Sequence, residues 1–419
     1  MQKKPAERRN LLLLTIDAWR ADSVDEYAGI PLTPTLHALR ERTLRFSHAY
    51  ATAPWTSPAI ISILTGQSAL DHGVHYEWDA PRPGGPALPA RLIQAGYQAP
   101  NLCYLNRVGN YHHLGYDPQA APGYPESPDD DLLPRTLRAL AASPAQPFFL
   151  WYHYKFVHLP YWPHERYRRL FGVDDAAVPA RVRDSVGRLF VVPRQEYPLL
   201  AEDRAVVRAL YAGAVRQMDD FLGRVFAALH DSAQLERTTV ILTADHGEEL
   251  LEHGHVGHAS TSHHATLYEE VLRVPLLFID ARIKGPRTIA ARVQGQDLFP
   301  TLLGLGGAAP RLPAGGPAVD LGGLLLDRAA PLPAGLTADR VLTFQSARMG
   351  YQTPASHKGQ LVWGFSDGRR KYIYEHYEAP RRLLYDLTSD PGEQAPRHDG
   401  PEVEAAHAEL LALRQAARP

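Results

Sequence analysis

Cysteine is nearly absent: the single Cys103 among 419 residues has no partner for an intramolecular disulfide and excludes any multi-cysteine metal site. Net charge is nearly absent as well. Lys and Arg total 44 against 46 Asp and Glu, a formal charge of −2, which leaves no broad footprint for nucleic acid or an anionic membrane. Long hydrophobic runs are also missing. The first apolar run, Leu11 to Ile16, falls far short of the roughly 20 residues a spanning helix needs. It is short for a signal-peptide core and runs into Asp17 instead of a small-residue cleavage site. These absences predict a cytoplasmic protein without nucleic-acid or membrane partners, with homo-oligomerisation left open.

What is present is an ordinary globular composition, 45% hydrophobic and 21% charged, able to bury a large core. Leu11 to Ile16 reads as a buried parallel strand. Helical patterns follow at Pro34 to Thr43, Ser57 to Leu64 and Ala87 to Ala95, the last closed by Gly96 as a C-cap. Pro147 to Tyr154 and Thr238 to Thr243 are aromatic or β-branched enough for buried strands, with a long helix at Ala201 to Leu229 between them. Leu272 to Ile279 predicts another strand and Asp297 to Leu305 another helix. This alternation implies an α/β fold, a large mostly parallel sheet sandwiched by helices, over residues 1–305.

Residues 306–335 turn to Gly, Ala and Pro, a linker or surface excursion in which no helix is expected. Beyond it, Val341 to Gln345, Gln360 to Phe365 and Lys371 to His376 read as antiparallel strands, with a hairpin turn at Ser366 to Arg369. A terminal helix at Glu402 to Arg414 completes a small α+β domain over 336–419 with a short antiparallel sheet.

Asp17, Thr56, Asp245 and His246 each fall where a strand ends or a helix begins, the edge of an open α/β sheet where ligands bind. Two carboxylates, an imidazole and a hydroxyl form a mixed oxygen and nitrogen set suited to a divalent metal ion, Mn²⁺, Zn²⁺, Mg²⁺ or Ca²⁺. Thr56 also suits the N-cap of the helix predicted from Ser57.

TADHGEEL at 243–250 followed by LYEEVLRVPLL at 267–277 resembles the sulfatase branch of the alkaline phosphatase superfamily. The resemblance is colinear: LLLLTIDAWRAD matches the family's opening strand, APWTSPAIISILTG its nucleophile segment, GQDLFPTLLGL a later helix and LLYDLTSDPGEQ its C-terminal signature. It implies an alkaline phosphatase-like fold and a metal-dependent ester hydrolase. In sulfatases the nucleophile segment reads Cys/Ser-x-Pro-x-Arg, and its first residue matures to formylglycine. Here Thr56 occupies that slot, Pro58 keeps its place and Ile60 replaces the arginine. The family's GKWH segment appears as YLNR, with Tyr104 in the lysine slot and Asn106 in the histidine slot.

A threonine in this position resembles instead the superfamily's phosphodiesterases and its single-metal phosphoglycerol or phosphoethanolamine transferases, which form a phospho-threonine, and the chain as a whole resembles its phosphonate monoester hydrolases too. That resemblance implies Asp17, Thr56, Asp245 and His246 around one metal, with Thr56 as nucleophile. His158 matches the histidine of the family's PHxPY segment, and His263 or His264 the His/Lys before LYEE, as candidate acid or ester contacts. Lys155, Asn106, Arg107 and His258 are candidate substrate-binding residues, with His112 and His113 as further sources of charge. The expected reaction is hydrolysis of a small phosphodiester or phosphonate monoester. Sulfate ester hydrolysis, phosphoryl transfer to an alcohol and a catalytically inactive binding protein are the alternatives.

Overall fold

The computed structural model describes residues 8–82, 87–107, 115–116, 122–123, 125–142, 146–186, 199–259, 265–308 and 318–417. Ten strands are labelled β1 to β10 below, the two-residue strands being left unlabelled. Asn10–Ile16 forms β1, and all seven residues are buried. Its neighbours are β3 (Phe149–Tyr154) on one side and β4 (Thr238–Ala244) on the other, both parallel to it. The near-continuous apolar run is what a strand covered on both faces requires.

The main sheet has the order β6-β2-β5-β4-β1-β3, where β2 is Thr43–Tyr50, β5 is Arg273–Ile279 and β6 is Arg287–Gln294. Strand β5 runs antiparallel to both β2 and β4. The mostly parallel sheet expected from the alternation is present, with one strand reversed. Helix α1 (Pro34–Ala38), helix α2 (Thr56–Thr65), helix α3 (Arg204–Asp231) and helix α4 (Leu298–Leu305) pack around it. A second sheet, β7 (Leu342–Ala347), β8 (Leu361–Ser366), β9 (Arg370–His376) and β10 (Arg381–Asp386), is an antiparallel meander. Helix α6 (Pro401–Ala416) covers it with Val403, Ala406 and Leu410.

Several elements differ from the sequence expectation. The helix predicted from Pro34 to Thr43 stops at Ala38, followed by a 3₁₀ turn at Arg40–Arg42 and then strand β2. The pattern of β2 is blurred by Arg45, Ser47 and His48, and its pairing is irregular between Phe46 and Ala49. Strand β6 lies at the sheet edge, where Arg287, Thr288 and Ala290 keep contact with solvent, so no apolar run announces it. Within 306–335 the described residues hold a short helix, α5 (Gly322–Leu326), whose start is tied by Asp320 Oδ1 accepting the Gly322 amide at 2.7 Å. Leu321, Leu324 and Leu325 bury in the main core, which is why a Gly-rich stretch still folds as a helix. Among the described residues, no helix is long and apolar enough to cross a membrane.

Candidate metal centre

The parallel register places Ile16 beside both Tyr154 and Ala244, so β3, β1 and β4 end at one level. Asp17 and Asp245 are the next residues on β1 and β4, and His153 lies one position inside the end of β3. Ligand-type atoms of Asp17, His153 and Asp245 all lie within 4.8 Å of one another. Asp17 Oδ2 is 3.3 Å from His153 Nε2, and Asp17 Oδ1 is 3.5 Å from His246 Nε2. Asp245 Oδ2 is 3.4 Å from the same His246 nitrogen. Thr56, the first residue of α2, brings its Oγ1 to 3.4 Å from His246 Nε2.

The backbone holds this arrangement. Ala18 has φ of 59°, a left-handed conformation unusual for a residue with a Cβ. Its amide donates to Asp245 Oδ1 at 3.3 Å and its carbonyl accepts from Tyr211 Oη at 2.7 Å, so the strained turn is retained by bonds on both sides. Gly247 donates to the Val271 carbonyl at 2.8 Å, and a Cβ there would meet the Glu270 carbonyl oxygen at 2.1 Å. Only glycine lets the chain after His246 pass so close to the segment before β5.

The donor atoms suit a cation. Asp17 Oδ1 and Asp245 Oδ2 are buried and make no hydrogen bond. Nδ1 of His246 lies 2.8 Å from the Gly247 carbonyl, an acceptor only, so Nδ1 carries the hydrogen and Nε2 presents a lone pair. Two carboxylate oxygens and a lone-pair nitrogen thus converge in a site shielded from water, an arrangement that a positive charge resolves. Asp17, Asp245 and His246 would hold a divalent ion, with Thr56 Oγ1 and His153 Nε2 beside them. Burial alone would raise Asp17, but His158 and His153 outweigh it and hold its carboxyl down to about 2. Asp245 is raised, chiefly by burial.

The other sequence candidates fall as follows. His158 and His258 are buried and in contact, with ring centroids 4.7 Å apart, and the His258 ring lies tilted against His246 at 4.2 Å. Lys155 is half-buried just past β3, and burial, opposed by Asp17, lowers its ammonium to about 8. Asn106 and Arg107 lie in a 3₁₀ turn, Tyr104–Arg107, with their side chains outside the described residues. His112, His113, His263 and His264 also lie outside the described residues. Ile60, in the arginine slot, is fully buried in the main core, and Tyr104, in the lysine slot, sits 6.1 Å from the His153 ring. His153 was not singled out by the sequence motifs, and its signal was a lone imidazole inside an aromatic strand.

The family model described as Sulfatase matches residues 9–308. The chain belongs to the sulfatase family. This sulfatase-family chain is 24% identical over 487 residues to the multifunctional alkaline phosphatase superfamily protein PehA of Trinickia caryophylli, spanning 92% of this chain and 90% of that one. Arylsulfatase K of Xenopus laevis is 28% identical over 203 residues, 47% of this chain and 34% of that protein. Among solved structures, the phosphonate monoester hydrolase of Agrobacterium radiobacter superposes with a TM-score of 0.74 at 21% identity, covering 98% of this chain and 96% of that one. That likeness is one of fold: the mostly parallel sheet with helices and the C-terminal antiparallel sheet are those of the sulfatase and alkaline phosphatase-like fold. The chain is accordingly a sulfatase-family hydrolase acting on ester bonds.

Proposed function

We propose that this sulfatase-family chain hydrolyses a phosphodiester or phosphonate monoester through a covalent phospho-Thr56. The observation that carries this reading is the position of Thr56, whose Oγ1 heads α2 at 3.4 Å from His246 Nε2. A threonine, whose Cβ carries a methyl group, cannot mature to the formylglycine aldehyde of sulfatases, and no arginine stands at position 60, which holds Ile60, to bind a sulfate. A bound divalent ion would lower the pKa of the Thr56 hydroxyl and neutralise a non-bridging ester oxygen.

The remaining chemistry belongs to the chain's own residues. The α2 N-terminus directs amide groups at the ester anion, and Trp55, the cap residue, makes no side-chain bond that would compete for them. Thr56 Oγ attacks phosphorus as it loses its proton to solvent, the bond from phosphorus to the leaving oxygen breaks, and the alcohol departs with a proton. Water then cleaves the Thr–O–P bond and restores the hydroxyl. His158 and His258, buried on the His246 side, are the candidate contacts for the ester in this reading.

A sulfate ester is the second reading, favoured by the Sulfatase match over residues 9–308. p-Nitrophenyl phenylphosphonate, bis-p-nitrophenyl phosphate and p-nitrophenyl sulfate, each with Mn²⁺, Zn²⁺, Mg²⁺ or Ca²⁺, separate the two. The phosphorus esters are expected to turn over faster, and Thr56→Ala to lower kcat by at least about 10³-fold with the fold retained. Faster turnover of the sulfate would select the second reading. Unimpaired Thr56→Ala would remove the nucleophile.

A further inference from the structure

Glu248 has no part in the metal centre, yet its side chain is completely buried, which for a carboxylate calls for a specific partner. One such partner is His258: Oε1 of Glu248 lies 2.8 Å from His258 Nδ1. The backbone of Glu248 is held on both sides. Its amide donates to the Glu270 carbonyl at 2.9 Å, and its own carbonyl accepts from Arg20 Nη1 at 2.9 Å.

His258 is in turn wedged between two imidazoles. Its ring centroid is 4.2 Å from that of His246 and 4.7 Å from that of His158, at interplanar angles of 43° and 72°. His246 reaches Thr56 Oγ1 at 3.4 Å. The contacts thus run from a rigid carboxylate through one imidazole to the side chains around the nucleophile. With Nδ1 anchored on Glu248, the Nε2 edge of the His258 ring is turned away from that anchor. A buried imidazole without such an anchor has two ring orientations, related by a half-turn, that differ in which edge is polar.

We propose that Glu248 is a positioning residue, fixing the ring of His258 so that its Nε2 edge faces the ester bound at Thr56. This rests on the reading of Thr56 as the nucleophile and adds to it a residue that never touches the ester. With Nδ1 engaged by Glu248, the orientation of the ring determines what its other edge offers.

A double-mutant cycle tests the proposal with the metal-loaded full chain and p-nitrophenyl phenylphosphonate. Glu248→Ala is expected to lower kcat/KM about 10- to 100-fold, the range for partners that orient a site histidine, with metal content and Tm close to wild type. Glu248→Gln, whose side-chain oxygen occupies the same place, is expected to recover most of that loss. Glu248→Ala/His258→Ala is expected to be no slower than His258→Ala alone. Additive losses, or equal losses in the Gln and Ala variants, would overturn the proposal.

The second readout does not depend on turnover. Imidazole ¹⁵N shifts of His258 are expected to change in Glu248→Ala and to stay near wild type in Glu248→Gln, whereas unchanged shifts in the Ala variant overturn the positioning role. If the wild-type chain turns over no phosphorus ester, the Thr56 reading fails by itself and the ¹⁵N arm still decides whether Glu248 sets the ring.

Discussion

His153 sits between two demands, hydrogen bonding to Thr15 through Nδ1 at 2.9 Å and facing Asp17 through Nε2 at 3.3 Å. With ligand-type atoms of Asp17 and Asp245 close by, its removal is expected to weaken Mn²⁺ or Zn²⁺ binding about 10- to 100-fold while the fold persists. Isothermal titration of His153→Ala checks this, and wild-type affinity would take His153 out of the centre. Asp17, Asp245, His246 and Thr56 could be picked out from sequence because each stands at an element boundary inside a recognisable motif. His153 could not, since PFFLWYHY reads as apolar strand and only the register of β3 against β1 brings the imidazole to Asp17. The Glu248–His258 pair was equally hidden, because ten positions of chain separate the partners and no periodicity links them.

Helix α3 ends in a way the sequence does not advertise. The Gln234 amide bonds to the Leu229 carbonyl at 2.8 Å and the Ala233 amide to the His230 carbonyl at 2.9 Å, with Ala233 at φ of 55°. This is a left-handed helix terminus that normally carries glycine. Ala233 is exposed, so Ala233→Gly sacrifices little packing and is expected to stabilise the protein by about 1 kcal/mol. Urea denaturation reads this as a higher midpoint at unchanged m, and a lowered midpoint would contradict it. Strands β1, β3 and β4 were legible because burial on both faces makes them largely apolar or β-branched. Strands β2 and β6 were not, because edge exposure and bulging mix Arg and Ser into their patterns.

The two sheets are joined by buried charge. Lys371 on β9 is fully buried and reaches Glu269 Oε1 at 2.7 Å and Glu393 Oε1 at 2.9 Å, so residues before β5 and after β10 meet on one ammonium. Asp297 and Arg340 form a second buried joint, with Nη1 to Oδ2 at 2.6 Å and Nη2 to Oδ1 at 2.9 Å. One ammonium facing two carboxylates leaves an excess negative charge. Burial raises the Glu393 carboxyl to about 7, with Lys371 opposing and Glu269 adding to the rise.

A carboxyl whose folded pKa exceeds its unfolded value binds more protons when folded. The stability it contributes is complete below about pH 4.5 and is lost as pH rises through about 7. Denaturant midpoints should therefore contain a component that declines between about pH 5 and about pH 8, and Glu393→Gln should remove that component. An identical pH profile in the variant would disprove the assignment.

Strand β1 is central to the main sheet, yet its partner β4 lies far along the chain: the Asn10–Thr238 side-chain pair spans 228 residues. At a synthesis rate of roughly 5–20 residues per second, β1 waits on the order of 10–50 s before that neighbour exists. During this interval an apolar run of Leu residues with no charge is open to pairing with other nascent chains. The same covering that makes β1 a rigid base for Asp17 in the finished protein thus makes it a segment in need of shelter on the ribosome.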